Sequence, residues 1–311
     1  MPSSLFADRI GSLIILAGLL VISYGCSAEP EATFVNFSER MAVDRPGEES
    51  PQISSFKVAV GSMISAQETA VYYRELLDYI AGKLGRGIQL VQRKTYGEIN
   101  KLIGQGQIDF AFICSGPYAT GREKFAFEAL AMPEVRGSYL YQSYLIVNKD
   151  SPFNKLDDLR GKTFAFTDPE SNTGKLVPTY WLQQKKETPE AFFEKTIFTY
   201  SHDNSIMAVA MSLVDGAAVN GQIWEYYNHR NPAFTHKTRI IKKSRPFGNP
   251  PVVASAHMPN QMKAQIRDLL YSMHQEPDGK KILDELMIDR FIAPKKDCYQ
   301  PILEMNKDSK S

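Results

Sequence analysis

The sequence has few cysteines and almost no net charge, and both shortages exclude classes of protein. Only Cys26, Cys114 and Cys298 occur among 311 residues, and no C-x-x-C pair is present. Three cysteines cannot form a closed disulfide framework, and their spacing offers no structural zinc site. Lys plus Arg total 36 against 35 Asp plus Glu, which leaves a net charge of +1. A nucleic-acid-binding protein needs a basic excess, so we predict neither a metal site nor a nucleic-acid partner.

Motifs for catalysis are also missing. The sequence contains no G-x-S-x-G, no P-loop and no cluster of His and Asp spaced to hold a metal. Cys114 ends an apolar run and is interpreted as a core thiol, because a nucleophilic pair with His202 has no motif behind it. We therefore predict a protein that is not an enzyme and has no cofactor, with a hydrolase as the weaker alternative.

The N-terminal part of the chain is typical of an exported protein. Residues 10–22 form an uncharged apolar run that is too short to span a membrane as a helix. Small residues then precede Cys26, an arrangement that resembles a lipoprotein signal peptide over residues 1–26 with lipid attached to Cys26. The alternatives are a soluble secreted protein with an incidental Cys26, or an uncleaved anchor. In each case the folded part is predicted to be periplasmic or extracytoplasmic, and with lipid it is held at the cell membrane or outer membrane.

Residues 27–54 are rich in Glu, Ser and Pro and show no hydrophobic periodicity, which predicts a flexible linker. The remaining length suits two lobes, since 43% of the residues are hydrophobic. From residue 56 onward, short apolar runs alternate with segments of helical period, which predicts an α/β fold with parallel strands. Predicted strands cover 56–61, 88–91, 108–113, 163–166, 197–200, 217–219 and 240–242, and predicted helices cover 67–84, 96–105, from 175, 203–213 and 259–275.

Two extended runs predict crossings between the lobes. Residues 139–147 form the first run and residues 252–256 the second. They divide the chain into lobe 1, residues 55–140 plus 250–311, and lobe 2, residues 141–249.

Four segments of the sequence resemble the phosphate/phosphite/phosphonate-binding proteins of ABC importers. They are YLIVNKDSPFNKLDDLRGKTFAF, FTDPESNTGKLVP, TYSHDNSIMAVAMSLVDGAAV and SRPFGNPPVV. The resemblance implies a two-lobed periplasmic-binding-protein fold of type II, with two crossover strands as a hinge and the ligand in the cleft. It further implies capture of a small phosphorus oxyanion and delivery to an ABC permease in the inner membrane. A sensor module that signals ligand occupancy to a membrane partner remains the alternative.

The segment Ser171, Asn172, Thr173 and Gly174 is the strongest candidate for ligand binding. It lies where a predicted strand ends and a helix begins, and helix N-termini expose unpaired N–H groups and the positive end of the dipole. Ser and Thr hydroxyls add donors. Ordinary helix capping is the competing interpretation, since the same residue types serve it. The resemblance favours anion binding, although the family pattern has Ser or Thr where this chain has Asn172.

Three further candidates come from the same resemblance, and a fourth, Ser115, comes from its place after a strand. His202 matches a family histidine that contacts ligand oxygens, and Tyr96 and Tyr141 match tyrosines that face the cleft. Ser115 follows a predicted strand at its carboxyl end, where α/β folds collect ligands.

Two neutral amides mark a departure from the family. Asn220 and Gln222 stand where family members often carry Asp or Glu, which accept hydrogen bonds from an amino group or a P–OH. This difference predicts a preference for a plain oxyanion over an aminoalkylphosphonate.

Overall fold

The computed structural model of the chain describes residues 34–36, 55–61 and 63–308. The predictions for residues 1–26, for lipid on Cys26 and for most of the linker 27–54 lie outside these ranges. Residues Phe34–Asn36, inside the predicted linker, form a strand that pairs antiparallel with Ile88–Val91. Within the described part of the chain, no helix combines the length and apolar character needed to cross a membrane.

The fold alternates strands with helices, as the hydrophobic periodicity predicts. The strands in chain order are β1 Phe34–Asn36, β2 Phe56–Val60, β3 Ile88–Val91, β4 Phe110–Phe112, β5 Glu128–Glu134, β6 Leu140–Tyr141, β7 Ser143–Asn148, β8 Thr163–Phe166, β9 Lys195–Phe198, β10 Gly216–Asn220, β11 Thr238–Lys243, β12 Phe247–Gly248, β13 Val252–Ala254 and β14 Arg290–Ile292. The α-helices are α1 Ala66–Tyr72, α2 Arg74–Leu84, α3 Tyr96–Gly104, α4 Ser115–Phe125, α5 Val177–Gln183, α6 Pro189–Phe192, α7 His202–Ala210, α8 Gly221–Arg230, α9 Asn260–Ser272, α10 Pro277–Glu285 and α11 Gln300–Asp308.

Lobe 1 is built on a seven-stranded sheet with the order β1-β3-β2-β4-β13-β5-β14. The strands β3, β2 and β4 run parallel, with Val58 opposite both Leu90 and Phe110. Helix α2 buries Leu76, Leu77 and Ile80 on this sheet. Apolar residues cover both faces of the central strands, which explains their almost continuous apolar sequence.

Lobe 2 is built on a five-stranded sheet with the order β11-β7-β10-β8-β9. Its strands β9, β8 and β10 are parallel. A two-stranded ribbon joins the lobes, in which β6 pairs antiparallel with β12 so that Tyr141 lies opposite Phe247. The two-lobed α/β fold with a pair of crossover strands is therefore as predicted. The predicted lobe boundaries stay predictions, and both fall at or beside this ribbon.

Several predicted elements differ in detail from the structure. The helix predicted over 67–84 is divided at Tyr73, whose ring packs against Phe112 with centroids 5.3 Å apart. The predicted return crossing at 252–256 is wrong, because β13 lies between β4 and β5 in the lobe 1 sheet and the crossing strand is β12. The helix predicted from about residue 175 begins earlier, as a π-helical turn over Asn172–Leu176 that continues into α5.

Candidate functional site

The two lobes are closed on each other along the cleft. Asp168, in the loop after β8 of lobe 2, accepts a hydrogen bond from the backbone N–H of Tyr96 at 3.1 Å. Asp203 accepts from the N–H of Ser65 with both carboxylate oxygens, at 3.0 and 3.1 Å. Tyr96 begins α3 and Ser65 caps α1, so each carboxylate of lobe 2 faces the positive end of a lobe 1 helix.

The predicted anion-binding segment lies buried in this cleft. Ser171, Asn172 and Thr173 have no exposed surface. The Ser171 hydroxyl accepts from the N–H of Gly174 at 3.0 Å and so caps the helix that follows. A Cβ at Gly174 would lie 2.3 Å from the Thr167 hydroxyl, which explains why glycine is needed there. Helix capping is therefore part of the role of Ser171, as the competing interpretation held.

Three buried polar atoms of the site have no hydrogen-bond partner within the described structure. They are Thr173 Oγ1, His202 Nε2 and Asn172 Oδ1. A buried polar atom without a partner costs roughly 1–3 kcal/mol, so each such atom calls for a partner, and a ligand or a water can supply it. Two of the three residues begin the π-helical turn at Asn172 and the third begins α7, so the unpartnered atoms belong to neighbouring segments of one lobe, which are linked by the contact between Thr167 and His202.

The hydrogen bonds of His202 determine which of its nitrogens carries the proton. Its Nδ1 accepts from the backbone N–H of Asn220 at 3.1 Å and lies 3.1 Å from the Thr167 hydroxyl. A backbone N–H can only donate, so Nδ1 is the unprotonated nitrogen and Nε2 carries the hydrogen. Burial lowers the pKa of His202 to about 3, and the ring is neutral at physiological pH. The unpartnered Nε2–H is therefore a fixed neutral donor.

Asn172 joins the site to the hinge through Tyr141. Its Nδ2 donates to the Tyr141 hydroxyl at 3.1 Å, and that hydroxyl also shares a hydrogen bond with Ser115. Burial raises the pKa of Tyr141 well above its usual value, so the phenol stays protonated. A 180° rotation of the Asn172 amide would let the Tyr141 hydroxyl donate to Oδ1 and turn the Asn172 N–H₂ toward the site. Asn172 can thus either accept from a P–OH or donate to an anionic oxygen.

Other predicted site residues are close by but engaged within the protein. Tyr96 is buried and packs with Met63 and Cys114. Asn220 caps α8, since its Oδ1 accepts from the backbone N–H of Gln222 at 2.9 Å and from that of Ile223 at 3.4 Å. Gln222 Nε2 donates to Asn249 Oδ1 at 2.9 Å. The ligand contacts predicted for these side chains remain predictions.

Cys114 is placed as a core residue beside the site. Burial raises the pKa of its thiol, and the backbone N–H of Asn172 faces its sulfur. That amide is therefore used inside the protein, and the thiol is a poor nucleophile at neutral pH. Cys298 is a free, half-buried thiol as well. The described residues include no group of three or more His, Cys, Asp or Glu placed to hold a metal ion.

Sequence reasoning missed the residues that hold the cleft closed and orient His202. Asp168 lies in a quoted family segment, yet nothing in that segment indicates that its partner is the N–H of Tyr96. Burial raises the pKa of Asp168 to about 6, although two backbone N–H groups partly offset this effect. The sequence likewise gives no signal for Thr167, which contacts His202, or for Asp203, which accepts from Ser65 across the cleft. A Ser or Thr next to a predicted loop is too common to single out Thr167 from sequence.

The site is thus a closed cradle of neutral hydrogen-bonding groups. Two of its unpartnered atoms, Thr173 Oγ1 and His202 Nε2, can donate, and Asn172 can donate after its amide rotates. Charge-assisted hydrogen bonds from such donors to an anion are stronger than those between neutral groups. The dipole of the helix that begins at Asn172 favours negative charge at the same place.

Comparisons with known proteins establish the family and the fold. The family model for the periplasmic substrate-binding protein of phosphonate ABC transporters matches residues 58–299. The phosphonates-binding periplasmic protein of Escherichia coli is 33% identical over 154 residues, which are 48% of this chain and 45% of that protein. The matched stretch therefore spans about half the length of that relative.

Two solved structures share the fold. A binding protein component of an ABC phosphonate transporter from Pseudomonas aeruginosa superposes with a TM-score of 0.77 at 24% identity, covering 81% of this chain and 85% of that one. PhnD1 from Prochlorococcus marinus in complex with methylphosphonate gives a TM-score of 0.74 at 19% identity, covering 83% and 98%. Because the family model covers most of the chain, this protein belongs to the phosphonate periplasmic substrate-binding protein family of ABC transporters.

Proposed function

We propose that this protein is the substrate-binding component of an ABC importer and that it captures a small phosphorus oxyanion in the cleft. The observation that carries the proposal is the set of buried atoms without partners, Thr173 Oγ1, His202 Nε2 and Asn172 Oδ1. A phosphonate, phosphite or phosphate group presents several oxygens from one centre and would satisfy all of them together. Its release would follow from opening of the lobes about the β6–β12 ribbon.

The neutral character of the site supports a plain oxyanion. Asn220 and Gln222, which the family resemblance places where members often carry acidic side chains, are amides bound to backbone or to Asn249. An ammonium group would find no lone carboxylate at these two positions, and a dianion would meet no repulsion from them. Phosphate, phosphite or a small alkylphosphonate is therefore preferred over an aminoalkylphosphonate.

Delivery to a permease and the cellular location are parts of the same proposal. The apolar run at 10–22 and the small residues before Cys26 support export with a lipid anchor. Anchoring keeps the protein near an inner-membrane permease, and the closed, ligand-bound form is the one that docks on the permease. Metabolic labelling with a radioactive fatty acid tests the anchor, and Cys26→Ala is expected to abolish the label.

A thermal-shift screen tests the proposed ligand class. The purified mature domain is heated alone and with phosphite, phosphate, methylphosphonate, 2-aminoethylphosphonate and sulfate. A ligand at 100 times its Kd stabilises the folded form by about 2.7 kcal/mol, which raises the Tm of a fold of this size by roughly 5–11 °C. We expect at least one of the three plain phosphorus oxyanions to do so, and calorimetric titration then ranks them. A screen in which only sulfate or 2-aminoethylphosphonate raises the Tm would contradict the proposal.

A further inference from the structure

An apolar cavity of about 140 Å³, partly open to solvent, lies between the lobes beside the oxyanion site. Lobe 1 contributes Phe112, Ile288 and Phe291 to its wall, and α8 of lobe 2 contributes Ile223 and Tyr226. None of these residues belongs to the cradle formed by Ser171–Gly174 and His202. The cavity therefore adds a compartment of different chemistry to the same cleft.

The cavity and the cradle share walls. Met63 and Asn220 both line the cavity. The carbonyl oxygen of Met63 accepts from the N–H of His202 at 3.0 Å, and the N–H of Asn220 donates to His202 Nδ1 at 3.1 Å. His202, which offers its free Nε2–H to the oxyanion, is thus bonded directly to two residues of the cavity wall. The cavity therefore adjoins the cradle at Met63 and Asn220, and a group attached to phosphorus would enter it between these two residues.

The charged and amide side chains that line the cavity already have partners within the protein. Glu225 accepts from Arg136 and from the Tyr144 hydroxyl, each at 2.5 Å. Asn220 and Gln222 are held by helix capping and by Asn249. An ammonium or hydroxyl group entering the cavity would find mostly carbon and would lose its hydration, whereas an apolar group gains by leaving water.

The volume of the cavity indicates the size of the apolar group that would fill it. An apolar cavity of roughly 150 Å³ inside a protein is known to hold benzene. A methyl group fills only a small part of such a volume, whereas a phenyl ring fills most of it.

We propose that the cavity receives the carbon substituent of the ligand, and that the protein binds phosphonates whose substituent is apolar and as large as a phenyl ring. This inference rests on the proposed function, because it needs the oxyanion to occupy the cradle. The inference specifies that the substituent on phosphorus is an aryl or branched alkyl group. The cradle contacts only the oxyanion and does not determine that substituent.

Calorimetric titration with methylphosphonate, phenylphosphonate, benzylphosphonate and 2-aminoethylphosphonate tests the inference. We expect phenylphosphonate or benzylphosphonate to bind at least tenfold tighter than methylphosphonate, and 2-aminoethylphosphonate to bind more weakly than either. Tight binding of methylphosphonate with no gain from either aryl ligand would overturn the inference and leave the proposed function standing. Failure of all four, together with phosphite and phosphate, would overturn the proposed function and the inference with it.

Variants that fill the cavity locate the substituent. Leu286 also lines the cavity. Ile288→Trp, and independently Leu286→Phe, place extra volume in the cavity without touching the cradle. Each is expected to weaken the binding of the aryl ligand at least tenfold and to leave methylphosphonate within twofold, so methylphosphonate reports that the fold is intact. Ile197→Trp, at a partly exposed position on β9 outside the cavity, is the matched control and should change neither. If the two filling variants weakened the binding of both ligands equally, or changed the binding of neither, the substituent would lie elsewhere.

Discussion

Replacement of Thr173 by valine separates ligand binding from stability at one buried position. Valine has the shape of threonine without its hydroxyl, and Thr173 Oγ1 has no hydrogen-bond partner among the described residues. Removal of this hydroxyl therefore breaks no internal hydrogen bond. We expect the unliganded variant to unfold at the same temperature as the wild type or above it, because an unpartnered buried hydroxyl is a cost of up to about 1–3 kcal/mol.

The same change should weaken the binding of the oxyanion. A hydrogen bond from a neutral donor to a charged group contributes about 1.5–3 kcal/mol, which corresponds to a loss in affinity of roughly 10- to 140-fold. Calorimetry with the tightest-binding ligand measures this loss, and calorimetric unfolding without ligand measures stability.

Thr238→Val provides a control with the opposite signature. Thr238 is also buried, but its hydroxyl donates to the Thr235 carbonyl at 2.9 Å and accepts from the Trp224 indole at 2.9 Å. Its loss should lower stability by about 1–3 kcal/mol and leave affinity unchanged. If Thr173→Val destabilised the unliganded protein as much as Thr238→Val does and left affinity unchanged, the assignment of Thr173 as a ligand donor would be refuted.

Three further predictions concern lobe closure, pH and charge. Gly116→Ala places a Cβ 2.6 Å from the Glu170 carbonyl oxygen across the cleft, so it should weaken ligand binding at least tenfold by calorimetry. Gly82→Ala, in helix α2 with open space around it, should leave binding intact and stabilise the fold by about 0.5–1 kcal/mol. The pKa of Asp168 rises from 3.8 to about 6 on folding, so its contribution to stability is present below about pH 4 and is lost as the pH rises through 6. Asp168→Asn should therefore be more stable than the wild type at pH 7.5 by on the order of 3 kcal/mol, with the difference vanishing near pH 4 in urea unfolding; a difference that is independent of pH would show that folding does not raise the pKa of this carboxyl. Asn220→Asp keeps a residue that caps helices well but adds a negative charge at the shared wall, so the affinity for a dianion should fall, most clearly at high pH; an unchanged calorimetric affinity would place Asn220 too far from the ligand to matter.

Local patterns in the sequence predicted the fold because its strands and helices are set by local burial. Runs such as 110–112 and 164–166 are buried throughout, and that burial appears in the sequence as uninterrupted apolar residues. Strand Glu128–Glu134 escaped prediction because acidic residues begin and end it and a proline lies within it. The π-helical turn at 172–176 escaped because no sequence pattern distinguishes it from an ordinary first helical turn.

The candidate site could be predicted only in part. His202, Asn172 and Thr173 follow from the resemblance to the family, and the structure adds that each has a buried atom without a partner. The contacts that close the cleft join residues far apart in sequence, Tyr96 with Asp168 and Ser65 with Asp203. Such pairs depend on how the lobes meet, and local residue patterns contain no information about that geometry.

The most direct test of the central claim is a crystal structure of the protein with methylphosphonate. The account predicts phosphonate oxygens about 2.6–3.2 Å from His202 Nε2 and from Thr173 Oγ1, with the methyl carbon directed toward Met63 and Asn220. A complex in which the phosphonate lies elsewhere, with water or nothing at those two atoms, would contradict it.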